Sequence, residues 1–112
     1  MISMDIKVTK ENGALYFKIS GRIDTQSSPD LQTAFENAFD TKDTINKIVL
    51  DFAQVEYLSS SGLRVLLGLH KKLAQTPENE TLTLINVNND VYDVLDMTGF
   101  TEILEINPQN EE

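Results

Sequence analysis

Ser59-Ser60-Ser61-Gly62 is the stretch of this chain whose residue types and spacing most readily suggest chemistry. The apolar period turns helical from Ser60 or Ser61, so the three hydroxyls sit at a helix start. Free backbone N–H groups and the positive dipole end favour an anion there by roughly 0.3–2 kcal/mol. Plain capping needs one side-chain oxygen, and it leaves the other two hydroxyls unexplained. The other reading is a serine that carries a phosphate, which adds about −1.5 to −2 charge beside those donors at neutral pH.

Other chemistry is sparse. His70, the single His, falls on the apolar stripe of the same helix, roughly 13–15 Å beyond the serines at 1.5 Å per residue, out of reach as their base. Asp90, Asp93 and Asp96 read as a cation site or as a solvated helix face. No Gly-turned calcium loop with a closing Glu surrounds them, which favours the solvated face. The chain has no Walker loop, no G-x-G-x-x-G and no G-x-S-x-G elbow. With no Cys and one His, thiol nucleophiles, zinc–thiolate sites and multi-histidine metal sites are excluded. No catalytic residue and no metal ligand is assigned. A nucleotide-binding enzyme would rest on the helix start alone.

The 112 residues make one domain with one modest core. Hydrophobic residues are 40% and charged residues 24%, as in soluble globular domains. The longest apolar runs fall far short of the ~20 residues that span a bilayer. Met1–Ile6 lacks the pattern of a signal peptide, and the lack of Cys fits a cytoplasmic protein. All 9 Lys and Arg lie at or before Lys72, while half of the 18 acids follow it. The net charge of −9 therefore sits wholly in the last third, a surface that repels nucleic acid and anionic lipid and suits solubility or the steering of a basic partner.

The elements that must position the serines follow from periodicity. Asp5–Thr9 and Leu15–Ser20 alternate as strands, and Asn12-Gly13 between them signals a hairpin. Ser28-Pro29-Asp30 opens a helix, with Ser28 as cap and Leu31, Ala34, Phe35, Ala38 and Phe39 on its apolar stripe. Lys47–Phe52 reads as a buried parallel strand, followed by a short loop into the serine run. The next helix carries Leu63, Leu66, Leu67, His70 and Leu73–Ala74 inward. Its Gly68 suggests a close backbone approach, and Thr76-Pro77 ends it. Leu82–Val87 is a strand. Asp90 caps a third helix with Val91, Val94 and Leu95, and Gly99 stops it. Ile103–Ile106 is a last strand before a polar tail, Asn107–Glu112. The order β-β-α-β-α-β-α-β predicts a single α/β domain with its core at about 4–106. Its sheet is mostly parallel, of about four to five strands, with an N-terminal antiparallel hairpin and about three to four flanking helices.

Three motifs in order carry a family resemblance: Ile19-Ser20-Gly21-Arg22-Ile23-Asp24 with the Ser28-Pro29 helix start; Val49-Leu50-Asp51-Phe52 with Val55 and Tyr57-Leu58-Ser59-Ser60-Ser61-Gly62-Leu63-Arg64-Val65-Leu66-Leu67; and Val91, Val94-Leu95, Thr98-Gly99-Phe100, Ile103 and Ile106. Across about Met4 to Ile106 the chain resembles the STAS-domain proteins, in particular the stand-alone anti-sigma-factor antagonists of bacteria. The resemblance implies a cytoplasmic binding module rather than an enzyme, with no cofactor of its own and a free form that is monomeric. Its unphosphorylated form would bind an anti-sigma factor that is also a serine protein kinase and so release a sigma factor. Phosphorylation would break that complex, and a serine phosphatase would reverse it.

In the family the acceptor is the hydroxyl two before the loop glycine, here Ser60. The position before it is often Asp and is here Ser59, which leaves Ser59 as an alternative acceptor. Ser61 is read as a cap. Asp24 matches an acidic position at the partner and phosphorylation surface. Gly62 allows close packing, Leu63 anchors the first turn, and Arg64 completes the partner-binding segment. The resemblance also admits a constitutive STAS subunit of a transport or signalling complex with no phosphate cycle.

Overall fold

A computed structural model describes residues 4–11, 13–39, 47–75 and 82–109. Strands β1 (Met4–Glu11) and β2 (Ala14–Ile23) are followed by α1 (Ser28–Phe39), β3 (Lys47–Leu58), α2 (Ser60–Ala74), β4 (Thr83–Val87), α3 (Asn89–Met97), a 3-10 turn (Phe100–Glu102) and β5 (Glu105–Pro108). The five strands lie in one sheet in sequence order. β1 and β2 are antiparallel, and the later steps are parallel. Glu11 faces Ala14 across the hairpin, and Asn12 lies outside the described residues.

Every parallel step moves in the same direction, so right-handed crossovers put all three helices on one face. One buried cluster agrees, joining Phe17, Leu50 and Leu84 of the sheet to Leu31, Leu66 and Leu95 of the helices. Along β2, Leu15, Phe17 and Ile19 face this core while Tyr16 and Lys18 face away. Phe17 meets Phe35 of α1 edge to face at 5.1 Å between ring centroids, a contact that orients α1 on the sheet. The expected core positions Leu31, Phe35 and Ala38 are buried and Ala34 is partly so. The Phe39 side chain lies outside the described residues.

The largest departure from the periodic reading is β3. It does not end at Phe52 and give way to a loop, but runs on to Leu58. Ser20 pairs with Gln54 after Lys18 with Asp51, and Arg22 pairs with Tyr57 after Gly21 with Val55. β3 thus gains one residue on β2 at each of two bulges. Its buried positions step from Ile48, Leu50 and Phe52 to Val55 and then Leu58, so no alternation survives to be read. The Asp51 carboxylate accepts from the Ala53 N–H at 3.0 Å, within the first bulge, and from Asn86 Nδ2 at 3.1 Å. On the β2 side Gly21 takes φ 99°, a backbone region that disfavours side-chain-bearing residues.

Smaller corrections concern caps and ends. Ser28 is not the cap of α1. The Ser27 carbonyl accepts the Leu31 N–H at 3.2 Å, while the Ser28 hydroxyl donates to the Asp24 carbonyl at 2.6 Å. Asn88, not Asp90, caps α3 by accepting from the Val91 N–H at 2.9 Å. Asp90, Asp93 and Asp96 are exposed, and no cluster that could hold a metal occurs among the described residues. Gly99 takes φ 83° and ends α3. The last strand starts two residues later than expected, with Ile103 41% exposed and Leu104 buried. It takes in Asn107 and Pro108 of the supposed tail, and the Gln109 N–H donates to the Val87 carbonyl at 2.7 Å.

On α2 the buried residues are Gly62, Leu66, Leu69 and Leu73. Leu69 is buried although it lies off the expected stripe, and Ala74 is exposed. His70 is half-buried, its Nδ1 shielded and without a hydrogen-bond partner among the described residues. Thr76-Pro77 lies outside the described residues. Gly68 makes no close approach to another element among the described residues, since a Cβ there would meet nothing within 4 Å beyond its own stretch of helix. Gly68→Ala should therefore stabilise the fold by about 0.4–1 kcal/mol through helix propensity and unfolded-state entropy. A lower melting temperature for that variant would contradict the open space beside Gly68.

No helix among the described residues is long and apolar enough to cross a membrane.

Candidate functional site

The ends of β2 and β3 meet where the parallel sheet gives way to helices, at the carboxyl side of the strands. Ile23 pairs with Leu58, and the Ser59 N–H donates to the Ile23 carbonyl at 2.9 Å. This register brings Asp24 and Ser59–Ser61, remote in sequence, to one corner of the sheet.

The three serines have different environments. Ser59 is the N-cap of α2, not Ser61. Its φ of −90° and ψ of 172° leave it extended, and its Oγ accepts from the Gly62 N–H at 3.2 Å. Its carbonyl accepts from the Leu63 N–H at 3.0 Å. Ser60 and Ser61 are the first two helical residues, so their own N–H groups have no partner within the helix. Ser60 is exposed, and no group among the described residues holds its hydroxyl. Ser61 is half-buried and turned toward a groove between α1 and α2.

Gly62 is buried against the sheet. A Cβ at this position would lie 2.6 Å from Ile23 Cγ2 and 2.7 Å from Leu58 Cδ1. The close packing expected of it is therefore present, and it presses the helix start onto the two strand ends. Leu63 packs on the core from its edge. Arg64 is exposed on the groove side and has no ion-pair partner among the described residues.

Asp24 faces its own chain. Its carboxylate accepts from the N–H groups of Gln26 and Ser27, each at 3.0 Å, and closes the turn into α1. Ser27 Oγ accepts from the Asp24 N–H at 2.9 Å and donates to the Arg22 carbonyl at 2.7 Å. The Ser27 N–H above all, with the Ser27 hydroxyl, the Gln26 N–H and the Arg22 charge, holds the Asp24 carboxyl below its ordinary 3.8. A depressed carboxyl stabilises the folded state above its unfolded pKa, and that contribution is lost as pH falls through the folded value. Side-chain carboxyl NMR should give Asp24 a midpoint under 3.8 in the folded chain. A midpoint at or above the ordinary value would mean the turn is not kept in solution.

Two contributors were not legible in the sequence. The Arg22 guanidinium lies 4.3 Å from the centre of the Tyr57 ring, a cation–π contact beside the serines. Only the bulged register, which sets Arg22 opposite Tyr57, could have revealed it. Asn88 Nδ2 donates to the Val55 carbonyl at 2.9 Å, tying the start of α3 to β3. His70 stands ten residues beyond Ser60 on the same helix, about 15 Å away.

The STAS domain profile matches residues 5–112. The anti-sigma F factor antagonist of Paenibacillus polymyxa is 28% identical over 105 residues, covering 94% of this chain and 87% of its own. An anti-sigma factor antagonist from Mycobacterium paratuberculosis superposes with a TM-score of 0.82 at 24% identity, over 95% of this chain and 86% of the other. The Bacillus cell fate determinant SpoIIAA in its phosphorylated form superposes with a TM-score of 0.69 at 14% identity, over 91% and 90%.

Proposed function

The chain belongs to the STAS-domain family, and from that premise we propose that it is a cytoplasmic anti-sigma-factor antagonist switched by phosphorylation of Ser60. The unphosphorylated chain binds a kinase-type anti-sigma factor and frees a sigma factor. The kinase transfers the γ-phosphoryl group of its own ATP to Ser60 Oγ, the complex parts, and a serine phosphatase restores the binding form. The chain itself performs no catalysis.

The observation that carries this reading is the division between neighbouring serines. Ser59 Oγ is committed to the cap of α2, while Ser60 is exposed and no described residue holds its hydroxyl. A phosphate on Ser60 would sit beside the Ser60 and Ser61 N–H groups, which have no partner within the helix, at its positive end. The same dianion is unfavourable against a partner, because burial would strip its water and Asp24 stands as a fixed negative charge at the same corner. The antagonist name of the Paenibacillus polymyxa relative supports the partner class. The Bacillus neighbour, solved in a phosphorylated form, supports a modification site on this fold.

The test is a pull-down from source-cell lysate with wild type, Ser60→Ala and Ser60→Asp as baits, read by mass spectrometry. A kinase-fold protein held by the first two and depleted on the third is the expected result. The same partners on all three baits would overturn the switch. If one of them were a transporter subunit, the chain would instead be a constitutive member of that assembly.

A further inference from the structure

β1 lies at one end of the sheet, and no strand pairs with its outer side among the described residues. The hairpin fixes which main-chain groups that edge presents. Glu11 faces Ala14 across a two-residue connection, so this pair exchanges both ladder bonds. Alternation then turns Thr9, Lys7 and Asp5 toward β2 and directs the N–H and C=O of Met4, Ile6 and Val8 outward. Charge on an edge strand ordinarily discourages pairing. Here its sign alternates about a centre. Asp5 precedes Ile6 and Lys7 follows it, and the apolar Met4 and Val8 flank both. The segment is therefore complementary to its own reverse. Ile6 and Val8 stand opposite the core-facing Ile19 and Phe17, which places Met4, Ile6 and Val8 on the helix side of the sheet. Met4 and Ile6 are only partly buried there, and Val8 is 52% exposed. Asp5 and Lys7 are exposed on the other face. Lys7 is directly opposite Lys18, a like-charge pair that costs stability. Lys18 has Asp51 beside it on β3, whereas no acid stands directly opposite Lys7.

We propose that two copies of this chain pair β1 with β1, antiparallel about Ile6, and join their five-stranded sheets into one. Ile6 then meets Ile6, Met4 meets Val8, and Asp5 meets Lys7 on both sides of the two-fold axis. The outward N–H and C=O groups of Met4, Ile6 and Val8 are all bonded across it. The second copy's Asp5 also offsets the repulsion between Lys7 and Lys18. Charge selects this register. Pairing centred on Lys7 sets Lys7 against Lys7, and pairing centred on Val8 sets Asp5 against Glu11. Pairing centred between two residues opposes the two faces of the strand. The net charge of −9 does not stand at this edge, since β1 and β2 carry four bases against two acids. The described acids after Lys72 belong to α3, the 3-10 turn and β5, toward the far edge of the sheet. The contact is short, Met4 to Val8 on each copy, so the dimer is weak and grows with concentration. The pairing departs from the monomeric free form that the family resemblance implies, and it does not rest on the antagonist reading.

The experiment follows the full chain from micromolar to millimolar concentration by sedimentation and by ¹⁵N amide spectra. A growing dimer is expected, with amide shifts centred on Met4 to Val8. Val8→Pro removes an outward N–H and no bond to β2, a substitution that edge strands tolerate. It should weaken the dimer roughly tenfold or more while the chain stays folded. Asp5→Lys alone and Lys7→Asp alone should each weaken self-association by a similar factor, because like charges then meet on both sides of the axis. Mixed in equal amounts, these two variants should pair about as well as wild type, since opposite charges face each other again at both places. A chain that stays monomeric at millimolar concentration would overturn the proposal. So would a dimer that Val8→Pro leaves intact, or charge variants that fail to pair when mixed.

Discussion

Phosphorylation of Ser60 is expected to weaken binding of the anti-sigma factor roughly 100- to 1,000-fold, equivalent to about 3–4 kcal/mol. Ser60→Ala should bind within a few-fold of wild type, because a small exposed hydroxyl contributes little when removed. Ser60→Asp carries about half the charge of the phosphate. Half the electrostatic penalty predicts a loss of roughly 10- to 30-fold, which calorimetry with the purified partner can resolve. Ser59→Ala separates the two candidate acceptors. Loss of its cap should lower stability by about 0.5–2 kcal/mol while leaving the switch intact. A switch abolished by Ser59→Ala and kept by Ser60→Ala would reverse the assignment.

Gly62→Ala is expected to destabilise the fold by about 1–3 kcal/mol, as overpacked core sites do. The new methyl would stand 2.6 Å from Ile23 Cγ2 and 2.7 Å from Leu58 Cδ1. Leu58 can rotate its terminal methyl away, but Cγ2 of Ile23 is a branch at the stiff β-carbon of a fully buried residue. Gly68→Ala in the same helix supplies the control. The helix-propensity gain is the same at both positions, so the difference between the two variants isolates the contact with the strand ends. Chemical denaturation of both should give opposite signs. Equal stabilisation would mean that α2 does not press on Ile23 and Leu58. A real loss at Gly62 should also weaken partner binding in proportion to any displacement of Ser60, since the same contact seats the first turn of α2 on the sheet.

Much of this molecule was legible from local pattern. Leu15, Phe17 and Ile19 announced β2 because alternation survives wherever one face of a strand is buried and the other is wet. Leu31, Phe35 and Ala38 announced α1 by the same logic at helical period. The motif around Ser60 pointed to the family, and its position at a helix start followed from the change of period. The features that escaped share a different cause. β3 ended too early in the reading because its two bulges shift the buried face twice, and a bulge is a relation to the partner strand. Ser61 and Asp90 read as caps, but the side chains of Ser59 and Asn88 cap α2 and α3, and at α1 the Ser27 carbonyl, not Ser28, takes the first helical hydrogen bonds. The competing side chains of α2 and α3 lie two residues apart, and backbone φ and ψ choose between them.

The chain's own residues determined the element order, the core stripes and the serine run at a helix start, because each depends on neighbours within a few residues. Only the tertiary structure decided which serine caps α2, what Asp24 faces, why Gly62 must be glycine while Gly68 need not be, and that Arg22 lies over Tyr57. Each of those depends on the parallel register of β2 and β3 and on the seating of α2 across their ends. That register is set by burial of side chains distant in sequence, a long-range condition that no local period encodes.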